Sequence, residues 1–160
     1  MTDQDESSPA DAETRAFVEE FAIMMERLGL VRMTGRVMGW LLVCDPPEQT
    51  FGQIAEALQA SKGSISTALK FLTTAGWIAK TSKPGERADY YTIRPSAMAD
   101  LVKQQAAQYS VFTETTARGL ALFADAPAER SGRLRDMHDF FSWLAAELPA
   151  LMERWDTERR

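Results

Sequence analysis

A single cysteine, a single histidine and the lack of any long apolar run set the first limits on this chain. Cys44 has no second cysteine to pair with, so an internal disulfide framework is excluded, and a reducing cytoplasm is the expected setting. It lies in the apolar run Trp40-Leu41-Leu42-Val43-Cys44 and reads as a small buried hydrophobe; a redox switch is the competing reading. His138 has no HxxE or HxxxH neighbour, and there is no CxxC, so no metal site is expected. GxGxxG, GxxxxGKS and GxSxG are also missing. With one histidine and one cysteine, no nucleophile–base pair can be assembled, and an enzyme is not expected, nor a cofactor. His138, among Met137, Phe140 and Phe141, reads as structural. No stretch approaches the ~18 apolar residues of a membrane span, and the acidic start MTDQDESSPADAE does not resemble a secretory signal.

What is present is a chain of 160 residues, 45% hydrophobic, with enough apolar surface for a core. The net charge of −5 argues at first against a polyanionic partner, but its distribution matters more. Between Lys62 and Arg94 there are six cations and only two anions, Glu86 and Asp89. That island carries +4, which leaves −9 for the rest of the chain. One basic face for phosphates on an acidic body is implied.

The periodicities predict a mainly helical protein with a small β-hairpin wing. Residues 1–7 read as a disordered tail. Ser8-Pro9 starts a first helix, with serine as N-cap and proline in the first turn. Phe17, Phe21, Met24, Met25 and Leu28 recur at helical spacing, and Gly29 ends the segment. A second helix covers Met33 to Cys44. Its Gly35 and Gly39 share a face suited to close packing, and Asp45-Pro46-Pro47 stops it. Thr50-x-x-Gln53 is a capping-box pattern that opens a short helix with Ile54, Ala55 and Leu58 on one face. Ser61 caps the next helix, whose stripe is Ile65, Ala68, Leu69 and Leu72, and Gly76 ends it. Trp77–Ser82, the turn Lys83-Pro84-Gly85 and Tyr90–Ile93 form a strand hairpin. Pro95 opens a long helix ended by Asp125-Ala126-Pro127. A last helical region carries Leu134 to Leu148 before Pro149 kinks or interrupts it.

Two short helices joined by a tight turn and followed by a hairpin make a winged helix-turn-helix. On the second short helix, Gly63, Ser66, Thr67, Lys70 and Thr74 face away from the apolar stripe. That face is small, polar and cationic, which suits insertion into a major groove of double-stranded DNA. Gly63 lets the backbone approach closely. Lys62 and Lys70 add charge near phosphates, and the amides after Ser61, including that of Ser64, form an anion site. At the hairpin tip, Lys83 and Arg87 supply a second contact. Arg87 is the residue suited to a narrow minor groove, with Glu86 and Asp89 orienting it. The excess apolar stripes of Phe17–Leu28, Met98–Phe123 and Leu134–Leu148 are most simply buried between two copies. The domain plan is therefore 8–30 as N-terminal dimerisation helix, 31–94 as DNA-binding domain and 95–160 as C-terminal helical dimerisation region. The competing reading is a winged-helix protein–protein interaction module without sequence-specific DNA binding.

The order of elements resembles the MarR family of bacterial regulators. Within it, the run Met33 to Pro46, the segment Ala60–Thr67, the wing Gly85-Glu86-Arg87, the helix start Ile93–Ser96, Asp125-Ala126-Pro127 and Arg133–Met137 are similar to the mycobacterial repressors of MmpS–MmpL efflux pumps. The resemblance covers nearly all of the chain after residue 16. It implies a homodimeric repressor of a transporter operon, released by a hydrophobic or lipid-like effector bound between the DNA-binding and dimerisation regions. Phe17, Phe21, Trp40, Met98 and Tyr109 are the residues expected to line that pocket. The related wing carries a further arginine where this chain has Ala88, so the target is not implied to be the same.

Overall fold

The computed structural model describes residues 9–158, and the expected tail (1–7) and the Ser8 cap lie outside them. The order is α1 (Pro9–Arg27), α2 (Arg32–Val43), β1 (Gln49–Thr50), α3 (Phe51–Ala57), α4 (Lys62–Thr74), β2 (Ile78–Ser82), β3 (Asp89–Ile93), α5 (Ala97–Leu122) and α6 (Ala128–Glu158). The chain divides into two compact units, one up to Ala97 and one from Met98.

In the first unit α1 lies against α2, and the two glycines explain how closely. A Cβ on Gly35 would come within 2.8 Å of the Ala22 Cα, and one on Gly39 within 3.3 Å of Phe21. The face of α1 that is buried is Val18, Ala22 and Met25. Phe17, Met24 and Leu28, of the same expected stripe, stay exposed. Val37, Met38 and Leu41 of α2 join Ile54, Leu58, Ile65, Leu69, Leu72 and Ile78 in one continuous core. The sheet has three strands, not the two expected: β1 pairs antiparallel with β3, which pairs with β2, in the order β1-β3-β2. A two-residue strand has too short an alternation to be read from sequence. It is fixed by its partners, with Gln49 opposite Tyr91 and Thr50 opposite Tyr90.

The second unit is a helical hairpin. Lys103 pairs with Asp156 at 2.6 Å, the Phe112 and Phe141 rings stack at 4.6 Å, and Leu134 fills the space left by Gly119. His138 is structural here. The Thr116 hydroxyl donates to the Phe112 carbonyl and lies 3.0 Å from His138 Nδ1, which can donate to it; Ser142 is 3.4 Å from Nε2. Two expectations change. The helix after Pro95 begins at Ala97, and α6 runs through Pro149 without interruption. Pro149 itself is exposed.

Candidate nucleic-acid interface

The helix-turn-helix is built by local capping. Thr50 accepts from the Gln53 amide while Gln53 Oε1 accepts from the Thr50 amide at 2.8 Å, a complete capping box on α3. Ser61 accepts from the Ser64 amide at 3.2 Å, and the two hydroxyls meet at 2.8 Å. Ser61 and Ser64 are thus partly occupied in shaping the end of α4. The amides of Lys62 and Gly63, ahead of the capped one, have no acceptor among the described residues. A Cβ on Gly63 would meet nothing within 4 Å, so none of the described residues requires glycine there.

The buried face of α4 is the expected stripe of Ile65, Ala68, Leu69 and Leu72. Lys62, Gly63, Ser66, Thr67, Lys70 and Thr74 are all exposed. The Thr67 hydroxyl donates to the Gly63 carbonyl at 3.0 Å, so it presents lone pairs and a methyl group outward, not a free donor. The Ser66 hydroxyl has no partner among the described residues. Beside it a notch of about 280 Å³ separates α4 from the sheet, lined by Ser66, Lys70, Thr73, Thr74, Lys80 and Tyr91 among others. Lys80 was not among the residues singled out from sequence. The strand register opposite Tyr91 brings it beside Lys70's helix.

The wing corrects one expectation and adds a contact. Lys83 pairs with Glu48 at 2.8 Å and lies 4.0 Å above the Tyr90 ring while its side chain stays exposed. Glu86 and Asp89 do not orient Arg87. Glu86 accepts from the Tyr90 hydroxyl, and Asp89 pairs with Lys80 at 2.7 Å and accepts from Ser82 at 2.8 Å. The hydrogen bonds from Lys80 and Ser82 hold the Asp89 carboxyl below its ordinary pKa, and Asp89 raises that of Lys80. Glu48 raises Lys83, and the bond to Glu86 raises the Tyr90 phenol. Three cations of the island, Lys62, Lys70 and Arg87, have no hydrogen bond or ion pair among the described residues. Arg94 instead donates to the Gly76 carbonyl at 2.8 Å, closing the base of the hairpin.

The five residues expected at an effector pocket fall in both units. Phe17 and Phe21 adjoin at 6.0 Å between ring centroids. Trp40 lines a different cavity of the first unit, about 230 Å³, with Arg15, Val18, Glu19, Arg36, Ala57, Leu58 and Gln59; its Nε1 is buried without a partner. Met98 and Tyr109 belong to the second unit, where Tyr109 lies 5.6 Å from Phe141. Cys44 is half-buried, and burial raises its thiol pKa, which disfavours the reactive thiolate a redox switch needs.

Comparison with known proteins gives the relatives of this chain. Residues 96–158 match the family described as MmpR5-like MarR family transcriptional regulator. The chain is 36% identical over 135 residues to the HTH-type transcriptional regulator MmpR5 of Mycobacterium tuberculosis, covering 84% of this chain and 82% of that protein. A crystal structure of a transcriptional regulator superposes with a TM-score of 0.73 at 34% identity, covering 91% of this chain and 99% of that one.

Proposed function

Since the chain belongs to the MmpR5-like MarR family of transcriptional regulators, we propose that it acts as a cytoplasmic homodimeric repressor which grips double-stranded DNA with α4 and the Arg87 wing. The observation that carries this reading is the set of uncommitted polar and cationic groups on α4 and the wing. Among the described residues Lys62, Lys70 and Arg87 have no side-chain partner, the Lys62 and Gly63 amides have no acceptor, and a Cβ on Gly63 would meet nothing within 4 Å. Phosphates supply the missing partners for the lysines and amides. Ser66 and Thr67 face base edges, and Arg87 enters the adjoining minor groove. Ser61, Ser64 and Lys83 hold these elements in place and touch the backbone at most.

Two copies double the readout and set the two α4 helices about one helical turn, ~34 Å, apart. The second unit supports association: its described residues bury only Thr116 and Ser131, while Phe140 and Trp143 are 55% and 59% exposed. The regulated genes encode a transporter or efflux system, and a hydrophobic or lipid-like effector releases the repressor. Within the first unit, the cavity beside Trp40 is its proposed contact, with Val18, Ala57 and Leu58 as apolar walls.

Fluorescence anisotropy with the DNA upstream of the gene tests this. Selective binding should weaken steeply as salt rises. Lys70→Ala should lower affinity for all sequences and reduce the salt slope by about one, while Arg87→Ala should cost about 1–3 kcal/mol and relax sequence preference. Binding by both variants equal to the parent would remove the assignment of this face. No selective binding at ~50 mM salt would favour the protein-interaction module instead.

A further inference from the structure

Three helices of the first unit end with the same pair of backbone bonds, but one does so with the wrong residue. After α1, Leu30 N–H bonds to the Met25 carbonyl and Gly29 N–H to Glu26, with Gly29 at φ +90°. After α4, Trp77 bonds to Leu72 and Gly76 to Thr73, with Gly76 at φ +75°. After α3, Ala60 bonds to Ala55 and Gln59 to Glu56, and the left-handed position is held by Gln59 at φ +47°. Glycine takes that conformation freely; a residue with a Cβ resists it and stays only when its surroundings impose it. Gln59 sits in the turn of the helix-turn-helix, two residues before the Ser61 cap of α4.

The surroundings include one strong tie. Arg36, from the middle of α2 and only 25% exposed, donates from Nη2 to the Leu58 carbonyl at 3.1 Å. Its Nε is held by Glu19 Oε1 of α1 at 2.5 Å. The other oxygen of Glu19 accepts from Arg32 at 3.2 Å. One guanidinium therefore joins α1, α2 and the turn next to the strained residue, using a planar fork that a lysine cannot reproduce.

We propose that Arg36 is a positioning residue for the recognition helix: by gripping the Leu58 carbonyl it keeps Gln59 left-handed and thereby sets where α4 begins. Arg36 itself touches no DNA. The inference rests on the DNA-binding reading for its functional consequence but not for its structural content. In Arg36→Met the turn is free to relax and DNA affinity falls about tenfold, with the salt slope unchanged because no phosphate contact is lost. Arg36→Lys, able to serve Glu19 or Leu58 but not both, falls between, as does Glu19→Gln, which loosens the tie without altering the arginine. Gln59→Gly in the Arg36→Met background restores most of the affinity, since glycine needs no tie. Arg36→Met with a salt slope reduced by about one marks Arg36 as a phosphate contact and overturns the proposal. So does a Gln59→Gly, Arg36→Met double variant that binds no better than Arg36→Met. Amide exchange without DNA separates the two readings. The Ala60 and Ser64 amides should exchange about tenfold faster in Arg36→Met and recover in the double variant, even if the parent proves unable to bind DNA. Unchanged exchange in Arg36→Met overturns the clamp.

Discussion

The two units of this chain spend their apolar residues differently. The first buries Val37, Ile54, Ile65, Leu72 and Ile78 almost completely, around helices whose ends are capped and a three-stranded sheet. The second, with α5 and α6 of 26 and 31 residues, buries only Thr116 and Ser131 among its described residues and leaves Phe112, Phe140, Trp143, Leu151 and Trp155 exposed. A unit with a closed core can present polar chemistry on its outside. A unit whose aromatic residues face outward has a surface that another chain can cover. The proposed division of labour puts the DNA-contacting face on the first unit and association on the second.

Charging the second unit should break this contrast most severely. Phe112→Asp with Phe140→Asp should raise the dimer dissociation constant about a thousandfold or more, about 4 kcal/mol, as read by sedimentation. A double variant that remains dimeric would move the interface elsewhere. Next in size is the opposite test. Leu72→Ala, in the first unit's core, should lower stability by about 2–5 kcal/mol in urea unfolding, at any protein concentration. Its dimer dissociation constant should stay close to the parent's in native buffer, and a large change would show that the units are not independent in this sense.

The smallest effect concerns how the wing is braced. Asp89 has a lowered pKa when folded, so its tie to Lys80 and Ser82 is complete above the ordinary value of 3.8 and is lost as pH falls through the lowered one. Carboxyl NMR should show an Asp89 midpoint below 3.8 that moves upward in Lys80→Ala. A midpoint at the ordinary value would detach Asp89 from Lys80 and return it as a candidate partner of Arg87.

Features set within four or five residues were legible in the sequence. The Thr50–Gln53 box, the Ser61 cap, the glycine ends at Gly29 and Gly76, and the Lys83-Pro84-Gly85 turn all depend on neighbouring backbone groups. The close approach signalled by Gly35 and Gly39 was also legible, though not its partner, which is Ala22 and Phe21 of α1. Charge partners were not. Asp89 and Glu86 lie close to Arg87 in sequence, yet the hairpin register hands Asp89 to Lys80 and Ser82, and the Tyr90 hydroxyl takes Glu86. Lys83 pairs at the surface with Glu48, thirty-five positions earlier, because the loop before β1 lies beside the wing.

The sequence by itself determined which segments are the helices and the two hairpin strands, how most of them are capped, and which face of α4 is polar, because these follow from periodicity and local hydrogen bonding. Only the tertiary structure decided which cations remain uncommitted. Lys62, Lys70 and Arg87 share the charge of Lys80 and Lys83, and a residue's availability is set by what the fold places within about 3 Å of it. The same holds for the turn before α4: no glycine announces it, and its left-handed Gln59 stands beside a bond from Arg36, twenty-two residues from the carbonyl it grips.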